Sequence, residues 1–271
     1  MNDPVKGLTA ASCGFIRMTT AMHLLLVMLF SLHSGLVTAC TDSVTSTLAT
    51  GNHSTYRQSA SQKPHPSSGA TGTGIVVDER SHILTSYHVV KGCKTVMLRK
   101  GEFVLRARSG KYDEKLDLAI IVPERSISAI PAKFRKGPPA PGEPVVIAGF
   151  PGEVVNQGLL KAVSAKIVSL NATTLQPGMM RLSVGLNQGA SGGPVLDRSG
   201  RVIGILSGLL VDSRSGKTVE APGVAVSGEA VQAFLQRSGI NFRLDEGSPA
   251  TVSAIAGQAA SQAVLIECSG H

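Results

Sequence analysis

A serine lies between glycines in residues 189–194 (GASGGP), with apolar segments on both sides. A tight glycine turn can present one hydroxyl to a carbonyl carbon while backbone N–H groups face the oxygen on which negative charge develops. Acyl transfer needs both groups in one place. The segment therefore predicts a nucleophile at Ser191 and an oxyanion hole formed by the N–H groups of Gly189 and Ser191. The alternative is an ordinary glycine–proline turn that contains a serine.

Two residues that lie much earlier in the chain, His88 and Asp117, could supply the proton transfer that such a nucleophile needs. His88 follows an apolar run and a polar step in residues 83–90 (ILTSYHVV), and histidine has an ordinary pKa near neutrality. Asp117 heads the apolar run 117–122, where a carboxylate is costly to bury unless it is paired. We therefore predict His88 as the general base and Asp117 as its partner. Taken singly, each could be an ordinary residue at the end of a strand.

The order His, Asp, Ser is one of several in which unrelated folds use these three groups. Together with its flanking sequences, the order resembles the trypsin-like serine peptidases, and most closely their bacterial HtrA/Deg branch. Four segments carry the resemblance: residues 72–77 (GTGIVV) followed by 83–85 (ILT), residues 88–90 (HVV), residues 117–120 (DLAI) and residues 189–194. The resemblance covers about residues 67–240. It implies an all-β fold of two six-stranded antiparallel β-barrels, with a short C-terminal helix and peptide hydrolysis through an acyl-enzyme.

The composition agrees with a fold of short strands. Of the residues, 42% are hydrophobic and 16% charged, and the 30 glycines and 14 prolines favour many turns. Tryptophan is absent and aromatic residues make up only 4% of the chain, so the core must be built from Val, Ile, Leu and Ala. Branched side chains of this kind fill small barrels.

Short apolar and alternating runs divide residues 67–240 into two barrels joined by a Pro-, Gly- and Lys/Arg-rich connection. Ser227 is predicted to cap a helix over residues 228–237, which Gly239 ends. Residues 241–271 are expected to form a disordered or loosely packed tail, too short for the PDZ domain that HtrA proteins usually carry. Barrel one is placed at residues 67–130, with strands at 75–77, 82–85, 96–99, 102–108 and 118–122. Barrel two is placed at residues 145–240, with strands at 145–150, 159–163, 166–170, 180–184, 194–196, 202–206 and 224–226.

The first 39 residues are predicted to be a signal peptide of the lipoprotein type. The apolar run 24–30 is too short to cross a bilayer, and residues 36–40 (LVTAC) resemble a bacterial lipobox that would make Cys40 the lipidated, palmitate-bearing N-terminus. Conventional cleavage after Ala39 is the alternative, and translation could begin at Met18 or Met22. Residues 40–66, rich in Ser and Thr, predict a flexible tether. The expected location is the bacterial cell envelope, facing the periplasm, with the outer membrane favoured.

The substrate pocket is expected beside the nucleophile, from Gly185 and Leu186 ahead of it and from Leu206, Ser207 and Gly208 after it. This lining is apolar and predicts small or medium aliphatic side chains; the alternative is that these residues simply pack the barrel.

No His or Cys cluster has the spacing of metal ligands, so we expect no cofactor and no metal. The net charge is +8, but the basic residues are scattered without interleaved aromatic residues, so nucleic acid is not expected as a partner. The expected partners are protein or peptide substrates and, through Cys40, the membrane. Whether Cys93 and Cys268 pair stays open at this point, as does the oligomeric state.

The sequence thus predicts a serine endopeptidase that hydrolyses exported or cell-envelope proteins. The alternative is a catalytically silent or latent trypsin-like domain that acts as an envelope binding module.

Overall fold

Sixteen strands and three helices make up the part of the chain that the computed structural model describes, residues 69–270 without 153–157, 172–176, 185–188, 212–217 and 221–222. The predicted signal peptide, the predicted tether and Cys40 lie outside these residues. Within them, no helix is both long and apolar enough to span a membrane. The elements are β1 (Thr71–Val76), β2 (Ile83–Ser86), α1 (Tyr87–Val90), β3 (Thr95–Lys100), β4 (Phe103–Asp113), β5 (Leu118–Pro123), β6 (Lys133–Arg135), β7 (Pro144–Gly149), β8 (Lys161–Ser169), β9 (Met179–Leu182), β10 (Pro194–Leu196), β11 (Val202–Leu206), β12 (Leu209–Val211), β13 (Thr218–Glu220), β14 (Val224–Ser227), α2 (Gly228–Arg237), β15 (Arg243–Asp245), α3 (Val252–Gln262) and β16 (Ala263–Ser269).

The strands form two six-stranded antiparallel barrels, which confirms the predicted fold class. Barrel one closes in the order β1-β16-β3-β4-β5-β2. Barrel two runs β10-β7-β8-β9-β14-β11 and closes through the pairing of β10 with β11, while β6 and β15 extend it beyond β11 by parallel pairing. The residues between 159 and 170 form one strand, β8, and not the two that we expected. Its middle residues, Ser164 and Ala165, pair with β7 without a break.

The expectation of a loose tail over residues 241–271 is wrong. Strand β16 lies between β1 and β3 and supplies the sixth strand of barrel one, so this barrel is not confined to residues 67–130. Val264, Leu265 and Ile266 are each at most 1% exposed. Without β16, strands β1 and β3 would each present a row of unpaired backbone N–H and C=O groups. The apolar run that forms β16 hydrogen-bonds to both of these strand edges.

The cysteine pair that the sequence left open is present as a disulfide. Cys93, just after α1, is bonded to Cys268 in β16, with the two Cα atoms 5.5 Å apart. The bond joins the segment that follows the predicted base His88 to the strand that closes barrel one.

Apolar side chains fill each barrel and the space between the two barrels. The helix expected over residues 228–237 is present as α2, and the Ser227 side chain accepts a hydrogen bond from the Ala230 N–H, as predicted for a cap. Buried residues of barrel one include Ile83, Leu98, Ile121, Val264 and Ile266; those of barrel two include Ile147, Met180, Val195 and Ile203; those between the barrels and under α2 include Ile75, Leu84, Phe134, Met179 and Phe234.

Candidate active site

The predicted nucleophile lies in a turn that only glycine permits at two positions. Gly189 and Gly192 have φ angles of +92° and +84°, in the left-handed region that L side chains rarely adopt. A Cβ on Gly189 would lie 2.4 Å from the Phe150 carbonyl oxygen, and one on Gly192 would lie 2.1 Å from the Thr73 carbonyl oxygen. The turn is therefore packed directly against the backbone of both barrels.

The predicted base lies in α1, the single helical turn that follows β2. His88 Nδ1 is 2.7 Å from Asp117 Oδ2, and the His88 backbone N–H donates to Asp117 Oδ1 at 2.8 Å. A carboxylate can only accept here, so Nδ1 is assigned the donor role, and Nε2 is the acceptor nitrogen in the neutral ring. The His88 side chain is 30% exposed and that of Asp117 10%, so the pair lies at the edge of the interior with the ring open to solvent.

Asp117 is held in an unusual backbone conformation. It is one of the two non-glycine residues with positive φ among the described residues, at +56°. Its carbonyl accepts from the Tyr87 N–H at 3.0 Å, and Ser207 Oγ donates to its Oδ2 at 2.5 Å. Such strained positions persist only when the surroundings fix them, and they concentrate at functional sites.

Ser191 Oγ donates to the Ser207 carbonyl at 3.1 Å. Within the described part of the chain, no hydrogen bond joins Ser191 Oγ to the His88 ring. The hydroxyl proton is directed at the Ser207 carbonyl, so it has to be redirected before His88 can accept it. Hydrogen bonds of this kind are often absent before substrate binds.

The two halves of the site come from different barrels. His88 and Asp117 belong to barrel one, whereas Ser191 and Ser207 belong to barrel two. Ser86, which precedes α1, donates to the Leu206 carbonyl at 2.9 Å and joins the halves across the boundary. The site can form only when both barrels are folded against each other.

Tyr87 lies next to His88 and stacks on Tyr112, with ring centroids 4.5 Å apart. Burial and the nearby Glu114 carboxylate raise the pKa of Tyr87. Lys91 bonds to Glu114, which raises the pKa of that lysine, and its Nζ lies 5.6 Å from the Tyr87 ring centroid. The raised pKa keeps Tyr87 a neutral phenol at neutral pH, and its ring packs on Tyr112.

The residues expected to form the substrate pocket have different surroundings. Leu206 is 3% exposed and packs in the core of barrel two, which is the alternative to a pocket role given for these residues. Ser207 points its hydroxyl at Asp117, a contact that sequence reasoning missed. A Cβ placed on Gly208 would lie 3.6 Å from Ser191 Oγ, so Gly208 adjoins the nucleophile. Gly185 and Leu186 lie outside the described residues.

In the described part of the chain, no three His, Cys, Asp or Glu side chains lie close enough together to hold a metal ion. The chemistry of the site is that of an acid–base pair beside a hydroxyl.

A Ser-His-Asp arrangement at the boundary of two six-stranded antiparallel barrels defines the class of trypsin-like peptidases. Residues 72–205 match the family model described as the trypsin-like peptidase domain, and this part of the chain belongs to that family.

Two curated relatives show how far the similarity extends. Serine protease Rv3671c of Mycobacterium tuberculosis is 30% identical over 152 residues, which cover 52% of this chain and 36% of the relative. Serine endoprotease DegS of Escherichia coli is 28% identical over 162 residues, which cover 57% of this chain and 44% of the relative. The chain thus matches less than half the length of either relative. Among solved structures, the active form of the Rv3671c protease is 25% identical with a TM-score of 0.51, covering 65% of this chain and 77% of that one.

Proposed function

We propose that this protein is a serine endopeptidase. The observation that carries the proposal is the contact of 2.7 Å between His88 Nδ1 and Asp117 Oδ2. The Ser191 hydroxyl lies close to this pair, because Gly208 adjoins Ser191 Oγ and the neighbouring Ser207 donates to Asp117. Membership of residues 72–205 in the trypsin-like peptidase domain family supports the same reaction class.

The reaction follows from the proton positions. Ser191 Oγ attacks the carbonyl carbon of a peptide bond while His88 Nε2 takes its proton. The charge that develops on the carbonyl oxygen faces the N–H groups of Gly189 and Ser191, and one such donor contributes about 3 to 4 kcal/mol in comparable sites. His88 then returns the proton to the leaving amine, and an ester on Ser191 remains. Water, deprotonated by His88, hydrolyses this ester and frees Ser191.

The experiment is labelling of the full chain with a fluorophosphonate, together with cleavage of a denatured protein. The wild type is expected to react at Ser191, and Ser191→Ala is expected to lose labelling and at least about 10⁴-fold in kcat. Ser238→Ala, at the end of α2, is the matched serine control and should behave as wild type. Absence of labelling in the wild type, or equal labelling in Ser191→Ala, would contradict the proposal.

A silent or latent binding module is the second candidate function. It is favoured by one observation, the hydrogen bond from Ser191 Oγ to the Ser207 carbonyl in place of one to His88. Such a protein would bind an unfolded peptide without reacting with the fluorophosphonate. The labelling experiment therefore separates the two candidates.

We further propose that the substrates are exported or envelope proteins and that lipid on Cys40 holds the enzyme at the membrane. The lipobox-like residues 36–40 support the anchor. The Cys93–Cys268 disulfide supports an oxidising compartment, since such bonds are rare in reducing ones. Cells fed radiolabelled palmitate should label the wild type and Cys13→Ser, the matched cysteine control, but not Cys40→Ser. Label retained by Cys40→Ser would overturn the anchor.

A further inference from the structure

We propose that Thr73 is a positioning residue: its buried hydroxyl, which belongs to barrel one, holds the turn of barrel two that carries the oxyanion donors. The inference rests on the proposed peptidase function and adds to it a residue that lies outside the Ser-His-Asp set. It also gives barrel one a second task besides carrying His88 and Asp117.

Thr73 makes two hydrogen bonds to the turn and a third to Phe150, just after β7. Its Oγ1 donates to the Gly189 carbonyl at 2.9 Å and accepts from the Phe150 N–H at 2.9 Å. Its backbone N–H donates to the Ser191 carbonyl at 2.8 Å. The residue is fully buried, with 0% exposure. Solvent does not reach the hydroxyl, so its hydrogen bonds are made within the protein.

The two carbonyls that Thr73 holds belong to Gly189 and Ser191, the same residues whose N–H groups are the proposed oxyanion donors. A peptide plane contains the carbonyl of one residue and the N–H of the next, so Thr73 fixes the planes on both sides of the Ala190–Ser191 peptide. These two fixed planes restrict the rotation of the peptide between them, and with it the direction of the Ser191 N–H. Catalysis depends on this restriction, because donors must lie within about 2.7 to 3.1 Å of the position that the charged oxygen will occupy.

The hydroxyl also joins the turn to the end of β7. The Phe150 N–H points at Thr73 Oγ1, while the Phe150 carbonyl lies against the Cα of Gly189. Removal of the hydroxyl would leave the Phe150 N–H and the Gly189 carbonyl without this partner in a buried place. Buried polar groups without partners are costly, so the turn would shift to find others.

A second buried hydroxyl connects Thr73 to the strand that precedes the base. Thr85 Oγ1 donates to the Thr73 carbonyl at 2.7 Å, and Thr85 is itself 0% exposed. Thr85 lies in β2, which leads through Ser86 into α1 and His88. The position of the oxyanion donors is thus linked to the position of the base through neighbouring strands β1 and β2.

A positioning role predicts a specific kinetic signature. Thr73→Val has nearly the same shape and keeps the backbone N–H that bonds to the Ser191 carbonyl, but it lacks the hydroxyl. We expect kcat to fall about 10- to 100-fold with KM within about twofold of wild type, because the loss falls on the transition state. Thr73→Ser, which keeps the hydroxyl, should restore kcat to within about threefold.

The experiment measures kcat and KM for a peptide amide, per active site titrated, in the full chain. Thr95→Val in β3 is the matched control, since Thr95 is partly exposed and makes no side-chain contact with the turn. If Thr73→Val fails to fold, as judged by thermal unfolding, then Thr73→Ala and Thr73→Ser give the same comparison, because they differ only in the hydroxyl.

The outcomes separate this inference from the proposed function. A Thr73→Val enzyme with the kcat of Thr95→Val, an equal kcat in the Ala and Ser variants, or a change in KM alone would overturn the inference while the peptidase function stands. A wild type without activity would overturn the proposed function and the inference with it.

Discussion

At the scale of single residues, the carboxylate of Asp117 has hydrogen-bond partners on both of its oxygens. It accepts hydrogen bonds from both the backbone and the ring of His88, and from the hydroxyl of Ser207 in the other barrel. Both oxygens are therefore engaged, and neither can rotate without breaking a bond. The orientation of the His88 ring depends on Ser207 through this carboxylate.

Replacement of Ser207 by alanine is expected to lower kcat about 10-fold while KM stays within about twofold, because a hydrogen bond to a charged group is worth about 1.5 to 3 kcal/mol. Steady-state kinetics measures both constants. Ser183→Ala is the control, since the Ser183 hydroxyl is also hydrogen-bonded, here as the acceptor from the Lys166 N–H, but in an exposed place. An unchanged kcat in Ser207→Ala would show that His88 holds the carboxylate alone.

The residues that were recognised from the sequence and those that were not differ in where their partners lie. His88, Asp117 and Ser191 each stand in a short segment whose composition suggests a role. Thr73 and Ser207 also stand in segments that the sequence singled out, but their contacts were not predicted: Thr73 bonds to a carbonyl 116 residues away, and Ser207 to a carboxylate 90 residues away. No local pattern reports such contacts, because they exist only after the two barrels meet.

At the scale of elements, strand β16 was also missed because no local pattern in the sequence marks where it begins. Apolar runs predicted the other five strands of barrel one, since each is bounded by turn residues nearby. The Ala- and Ser-rich helix α3 comes directly before β16, with no turn residue between them. Lys100 holds this junction by donating from Nζ to the carbonyls of Ala260, Ser261 and Ala263, and burial lowers the pKa of Lys100.

The bond between Cys93 and Cys268 should contribute measurably to the stability of these elements. The two residues are 175 positions apart, so cross-linking them removes much freedom from the unfolded chain. A Cys93→Ser, Cys268→Ser double variant is expected to lose about 2 to 4 kcal/mol of unfolding free energy in urea titrations. Wild type with reductant is the control and should unfold at the same urea concentration as the variant. Equal midpoints for oxidised wild type and variant would contradict this expectation.

At the scale of the whole molecule, β16 supports both halves of the site. It closes barrel one, which carries His88 and Asp117, and its residues Ala263 and Leu265 pack against Phe150, which lies beside the Ser191 turn. The last described strand is therefore part of the framework of the active site, although it contains none of the predicted catalytic residues.

Deletion of residues 263–271 is expected to abolish peptidase activity even though His88, Asp117 and Ser191 remain. The physical reason is that β1 and β3 would be left with open edges and that Phe150 would lose its packing partners. Cleavage of a denatured protein and the urea midpoint are the two measurements. Deletion of residues 270–271 alone leaves β16 whole and should change neither. Retained activity in the longer deletion would show that five strands suffice.

Barrel two is built from a continuous stretch of chain between Pro144 and Ser227, whereas barrel one joins residues near 71 to residues near 267. During synthesis, the serine-bearing half can therefore close while the histidine-bearing half still lacks a strand. Contacts between such distant segments form slowly. We therefore expect barrel two to be able to close before barrel one, and a chain that already carries Ser191 to lack a competent catalytic centre until β16 has been made.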